Sequence, residues 1–385
     1  RFPGFDDPYR KCRIGDIYGE RSQRGAGDME LLSVTMNDGV MPRTEIEGKD
    51  NSSEDKSNYK VVCKGDMVYN SMRMWQGANG VSNYDGIVSP AYTVLMPTEE
   101  IDNQYFAALF KTSNLINEFR KNSQGLTSDT WNLKYPQIRP IRLCIPSLQE
   151  QNKISSFIGT LEERISKQRQ LVDSLKKYKR GAVRSLLSAK SCPLKNASWT
   201  TAKMGELGYF IKGAPLSKAD ISEDGTPFIL YGELYTTYNE VVTSVKRRTQ
   251  AQIDETFLSR VGDVVIPTSG ETPEEISTAS CVMLPDVILA GDLNIFRGDK
   301  VDGRIMSYLL NHVVNGKIAR IAQGKSVVHI QASELCKLTL TYPDKNTQNT
   351  IIGFLSLLDD KIMNEENLLA FLSVLKEGLL QQLFI

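Results

Sequence analysis

Two stretches carry side chains suited to gripping the edge of a base. In Met72-Arg73-Met74-Trp75-Gln76-Gly77-Ala78-Asn79, a turn-rich segment sets Arg73, Gln76 and Asn79 beside Trp75. Arg, Gln and Asn can hold a guanine or adenine edge with two hydrogen bonds. Arg120-Lys121-Asn122-Ser123-Gln124-Gly125-Leu126-Thr127-Ser128 joins a helix end to a loop. Its Lys121, Gln124, Thr127 and Ser128 offer donors for phosphate oxygens. Later in the chain Lys212, Lys218, the Lys246-Arg247-Arg248 cluster, Ser269, Thr272, Lys325 and Ser326 provide the same types again. Taken singly, each is more often a solvated surface residue.

Covalent chemistry finds no comparable support. The sequence contains no Gly-x-Gly-x-x-Gly, no Gly-x4-Gly-Lys-Ser/Thr and no Gly-x-Ser-x-Gly. The Asn/Asp-Pro-Pro-Tyr/Phe tetrad of base-flipping methyltransferases is missing; Ser89-Pro90-Ala91-Tyr92 is its nearest approach. The pairs Glu99-Glu100 and Glu274-Glu275 read as solvated loop charges. Two histidines, His312 and His329, lie far from any Cys-x-x-Cys, so no zinc site is expected and both read as structural or surface residues. Six scattered cysteines read as reduced residues of a cytoplasmic protein.

The elements that position these groups come in two copies. Pro146-Ser147-Leu148-Gln149-Glu150-Gln151-Asn152-Lys153-Ile154-Ser155-Ser156-Phe157 and Pro343-Asp344-Lys345-Asn346-Thr347-Gln348-Asn349-Thr350-Ile351-Ile352-Gly353-Phe354 share Pro-x4-Gln-Asn-x-Ile-x2-Phe, 197 residues apart. Gly65-Asp66-Met67-Val68 and Gly262-Asp263-Val264-Val265 keep that offset, as do Lys179-x-Gly181 and Lys376-x-Gly378. Gln124-Gly125 and Gln323-Gly324 sit two residues out of step, the mark of a loop insertion. A period this long indicates a duplicated domain.

Each copy closes on a heptad helix. Ser147 and Glu150 have capping-box spacing. The first seam is Ile154, Ile158, Leu161, Ile165, Gln168, Val172, Leu175, Lys179, Ala182 and Leu186. The second is Ile351, Leu355, Leu358, Ile362, Glu365, Leu369, Leu372, Lys376, Leu379 and Leu383. Alternating steps of four and three suit a coiled coil. The polar positions Gln168, Glu365, Lys179 and Lys376 either fix register or snorkel at the helix ends. Residues 149–190 carry ten Lys/Arg and four Asp/Glu, a net +6; residues 347–385 carry two and five, a net −3. Opposite charge and equal length suggest an antiparallel pair, the alternative being that each helix packs on its own domain.

Between the helices, short β-rich runs (Lys60–Tyr69, Ile87–Met96, Phe228–Leu230, Asp263–Pro267, Val287–Phe296) precede one helix per copy, Asn103 to about Lys121 and Arg304 to about Gln323. The expected fold class is α/β (α+β): two tandem, pseudo-two-fold-related recognition domains with curved, mostly antiparallel sheets, separated by two long antiparallel spacer helices. The boundaries are 1–145, 146–190, 191–342 and 343–385. The 385 residues balance 46 Lys/Arg against 46 Asp/Glu, and the globular parts together hold −3. Such a chain should bind DNA poorly alone. Arg1-Phe2-Pro3-Gly4-Phe5 has no signal-peptide core and no membrane-length apolar run follows. The sequence, lacking an initiator Met, is expected to begin inside a longer segment.

In this order and duplication, the motifs resemble the specificity subunit of type I restriction–modification systems. The resemblance spans essentially the whole chain. It rests on Arg1-Phe2-Pro3-Gly4-Phe5, Gly15-Asp16-Ile17, Glu20-Arg21-Ser22-Gln23-Arg24-Gly25, Gly65-Asp66-Met67-Val68 and the two Pro-x4-Gln-x2-Ile-x2-Phe motifs. It implies two target-recognition domains, each reading one half of a bipartite double-stranded DNA site, on a non-catalytic chain. It also implies modification (methyltransferase) subunits, two of them, acting on adenine, and restriction/translocase subunits. No cofactor is expected in this chain; S-adenosylmethionine, ATP and Mg belong to those partners. The rival reading is a coiled-coil protein–protein scaffold with two ligand-binding modules and no DNA specificity.

Overall fold

A computed structural model describes residues 1–384 apart from 26, 27, 37, 38, 49, 51 and 323–327. The chain forms two compact units: 1–169 with 367–385, and 170–366. In the first unit, Arg10–Arg13 pairs antiparallel with Arg142–Ile145, which leads into the first long helix, Leu148–Leu186. The main sheet has four strands in the order Tyr18–Glu20, Tyr92–Pro97, Met67–Asn70, Asn79–Val81, all antiparallel.

The second unit repeats the opening pair with Trp199–Lys203 and Thr339–Pro343, ahead of the second long helix, Lys345–Leu383. Its larger sheet has five strands, Tyr209–Lys212, Leu293–Arg297, Asp263–Pro267, Ser280–Val282 and Val241–Val242. The last pair in that order is parallel, as is Thr226–Leu230 with Ile288–Ala290 in a three-stranded sheet.

Several long runs expected from sequence are broken. Lys60–Tyr69 is two strands, Lys60–Val62 and Met67–Asn70. Between them Gly65 takes φ +94°, and Gly262, its counterpart, has the same value. Only glycine holds that conformation without strain. The aspartate that follows ties the turn: Asp66 accepts the Cys63 N–H and the Arg21 guanidinium, and Asp263 accepts the Arg260 N–H and Arg297. The Gly-Asp motif is therefore a turn lock rather than a chemical site. The single helix expected in each copy is two: Asn103–Leu109 and Ser113–Asn122, then Gly303–His312 and Asn315–Ile321. In the first unit Thr112 is the break, its hydroxyl and N–H both bonded back to Leu109 O. In the second, Val313-Val314 places two β-branched residues at the junction.

The Pro-x4-Gln motif has a structural cause. Gln151 accepts the Asp102 N–H through Oε1 and donates through Nε2 to Pro146 O. Gln348 makes the same two bonds, to Asp302 N–H and Pro343 O. Each glutamine staples the start of its long helix to the start of the helix pair beside it. Gln348→Ala leaves the half-buried Asp302 N–H and the buried Pro343 C=O unpaired. It should destabilise the second unit by about 2–3 kcal/mol, read as a lower urea midpoint with an unchanged slope. The Ser147–Glu150 capping box does not form as expected. Glu150 is buried, and its Oε1 accepts the Phe2 N–H instead.

All twenty seam positions are buried or half-buried. In the first unit Ile154 and Ile158 share a cluster with Leu380 and Leu383, and Lys376 meets Glu162 at 2.6 Å. In the second, Val183 and Leu187 cluster with Ile351 and Leu355, while Lys179 meets Asp359 at 2.6 Å and Lys176 meets Glu366 at 2.6 Å. Rising numbers on one helix meet falling numbers on the other, so in each unit the paired segments are antiparallel. The two Lys–acid pairs are the same pair displaced by 197 residues. Lys179 and Lys376 thus act in register rather than by snorkelling. Beyond Lys179 the fully buried row moves to Val183 and Leu187, one residue past Ala182 and Leu186. There the helix leaves the 3.5-residue seam and turns its face into the unit's own core.

Candidate nucleic-acid interface

In the first unit, a short 3-10 turn, Met74–Gln76, hangs on the buried Met74 and ends at Gly77, φ +84°. Arg73 and Gln76 are left exposed on either side. Trp75 is half-buried; its Nε1 donates to Met72 O at 3.0 Å. Its ring meets Trp131 edge-on, centroids 5.2 Å apart, and the Arg120 guanidinium lies 5.8 Å from its centroid. Such a cation–π contact contributes about 0.5–1 kcal/mol at an exposed site. Trp131 is brought there by a loop that Gln124 and Asn132 close with two backbone hydrogen bonds, 2.9 and 2.8 Å.

The tryptophan pair therefore joins the two stretches singled out in the sequence. Gln124, Thr127 and Ser128 are exposed on the loop, and Lys121 is exposed on the adjoining helix, paired with Glu118 at 2.7 Å. Asn79 does not join them. The chain turns inward at Gly77, and Asn79 lies opposite Tyr69 in the sheet at 0% exposure, its amide donating to Gly77 O. It is a core residue, not a base reader.

In the second unit Lys212, Lys218 and Arg247 line one cavity of about 1390 Å³, together with Tyr231, Tyr235 and His329. Arg247 is oriented by Glu233, Nε to Oε1 2.9 Å, and the other oxygen of this buried glutamate accepts the Leu230 N–H. Ser269 is buried behind the wall, its Oγ 3.2 Å from Asp292. Arg248 lies elsewhere, donating to Gly225 O. Thr272 is the N-cap of Pro273–Ile276, its hydroxyl accepting the Glu275 N–H, so its oxygen has a structural role. Lys325 and Ser326 lie outside the described residues.

Arg120, Trp131, Glu233 and the two cavity tyrosines were not picked from the sequence. The one signal for Trp131 was rarity: it is one of three tryptophans, six residues beyond Gly125. His312 proves structural. Its Nε2 lies 2.5 Å from Glu240 Oε1, and the other oxygen of Glu240 takes Lys179 at 2.7 Å. Tyr308 donates to Asp359 at 2.7 Å in the same network. All six cysteines are unpaired, and among the described residues no helix is long and apolar enough to cross a membrane.

Two segments, 13–176 and 196–372, each match the family described as the type I restriction modification DNA specificity domain. Among solved structures, the S subunit of a type I restriction-modification system from M. genitalium aligns over 100% of this chain and 98% of its own, with TM-score 0.61 and 14% identity. A chain from a study of complex assembly and conformational transition of the type I R-M system aligns over 98% of both, with TM-score 0.60 and 16% identity. The HsdS subunit from Thermoanaerobacter tengcongensis aligns over 98% of this chain and 97% of its own, with TM-score 0.46 and 15% identity. No curated protein sequence matches. Since the family's pattern covers most of the chain and does so twice, this protein belongs to the family of type I restriction–modification DNA specificity domains.

Proposed function

We propose that the chain reads the two halves of a bipartite double-stranded DNA site, one with each unit, and carries the modification and restriction subunits that act there. The observation that supports it is duplication with divergence. Two copies of one specificity domain present different chemistry, a tryptophan pair under Arg120 in the first and a Lys/Arg/Tyr-lined cavity in the second. Two similar but unlike readers suit a site with two unlike halves. The chain itself is non-catalytic on this reading. Adenine methylation, with its S-adenosylmethionine, resides in two methyltransferase subunits, and ATP and Mg serve restriction/translocase subunits. The complex works in the cytoplasm. With no net charge in this chain, partners clamping the duplex supply much of the phosphate contact.

The experiment is a domain exchange. Residues 191–342 are replaced by the corresponding segment of another member, and the site is selected from random duplexes with the modification partner present. One half-site should change while the other stays. A change in both halves contradicts modular reading. Trp131→Ala should act on the other half. Losing an aromatic pair worth about 0.5–1.5 kcal/mol should weaken binding several-fold, measured by titration, and leave the second half-site unaltered.

A further inference from the structure

The loop that carries Trp131 holds an apolar residue in water. Leu126 is 101% exposed, between Gly125 and Thr127 in a segment otherwise of Ser, Gln, Thr and Asp. Exposing a leucine forfeits the benefit of burying it. The loop is nonetheless tightly tied. Besides the Gln124–Asn132 bonds, the Thr130 N–H donates to Thr127 O at 2.9 Å, and Thr130 Oγ1 accepts the Thr127 N–H at 3.1 Å. Gly125, at φ +141°, passes so close that a Cβ there would lie 2.6 Å from Thr130 O. Leu126 is thus presented by a fixed hairpin, with Arg120 and Lys121 on the adjoining helix.

We propose that Leu126 is a wedge that enters a base step of the first half-site and partly unstacks it; this rests on the duplex-reading role proposed above. Proteins that kink DNA insert Leu, Phe or Met in this way. A lone exposed leucine followed by Thr127, Ser128 and Asp129, with Arg120 and the Glu118-paired Lys121 on the adjoining helix, fits a base step with phosphates beside it. A protein partner would ask for a contiguous apolar patch. The leucine occurs in one copy only: in sequence, Gln323-Gly324-Lys325-Ser326 matches Gln124-Gly125-Leu126-Thr127, with Lys in place of Leu. Its use is chemical. A base to be methylated must leave the stack, and a step already opened beside it makes that easier.

The test uses the full chain with its modification partner and duplexes carrying 2-aminopurine at successive positions of the first half-site. Wild type should raise fluorescence at one step. Leu126→Ser should abolish the rise and weaken binding roughly tenfold; a mismatch at that step should restore the variant to near wild-type affinity, because unstacking is then already done. Leu126→Met should keep both effects. The proposal is overturned if Leu126→Ser binds and fluoresces like wild type. It is equally overturned if the variant loses the modification partner in gel filtration without DNA, since the residue would then be a protein contact. If wild type selects no two-part site, the duplex-reading role itself fails, and that result does not depend on Leu126.

Discussion

Lys179→Met should destabilise the second unit severely, by about 3–5 kcal/mol, while Lys376→Met should cost the first unit at most about 1 kcal/mol. The two lysines occupy matched seam positions, and each pairs with the matched acid of the other helix, Asp359 or Glu162. Their surroundings differ. Lys376 meets Glu162 where both are partly in water. Lys179 is 8% exposed and holds two carboxylates, Asp359 and Glu240, 5.3 Å from the centroid of the Tyr308 ring. Removing it strands the Glu240 carboxylate, 15% exposed, with His312 as its remaining side-chain partner among the described residues, while Asp359 keeps Tyr308 and reaches water. A domain has about 5–15 kcal/mol to lose in total, so urea unfolding should show a large fall for one variant and little for the other. Equal effects would mean that the buried network is not what fastens the helices to the second unit.

The same network sets a pH dependence. Burial alone would raise the Glu240 carboxyl, but the hydrogen bond from His312 and the charge of Lys179 outweigh it and hold the group at about 2. A carboxyl lowered on folding stabilises the folded state above its ordinary range, near 4.5, and loses that contribution as pH falls toward 2. Burial alone would lower the Lys179 ammonium, but the Glu240 and Asp359 carboxylates raise it above its ordinary 10.5. Its contribution is therefore present below that pH and lost well above it. The tether should therefore fail in acid between about 4.5 and 2.

Deleting seven residues from the middle of both long helices should shorten the spacer of the recognised site without altering either half. Seven residues rise about 10.5 Å, the length of about three base pairs. A whole heptad keeps apolar residues on the seam in both helices. Deleting it from one helix only is a different experiment. The pairs Lys179–Asp359 and Lys376–Glu162 could then not both form, and the protein should lose stability rather than change spacing. Site selection on the double deletion and urea melts on the single one separate these outcomes.

The scaffold was legible in the sequence because it is repeated. Gln151 and Gln348, Gly65 and Gly262, and the seam positions as far as Lys179 and Lys376 are pairs that do one job twice, and a job done twice leaves a fixed offset. The exceptions are instructive. Glu150 had capping-box spacing, yet the backbone of Phe2, remote in sequence, took its carboxylate. The reading surface was legible only in part, because exposure is decided by turns that periodicity does not report. Arg73, Gln76 and Asn79 looked alike in sequence, but the turn at Gly77 exposes two and buries the third. Arg247 and Arg248 are neighbours in the chain, and alternation along a strand sends only Arg247 to the cavity. The Trp75–Trp131 contact joins residues 56 apart in the chain, and nothing in either segment foretells it.

The decisive experiment is selection of random duplex DNA by the full chain with its modification partner. It should yield one two-part motif, with unlike halves and a spacer near one helical turn. A single continuous motif, or no motif at all, would contradict it.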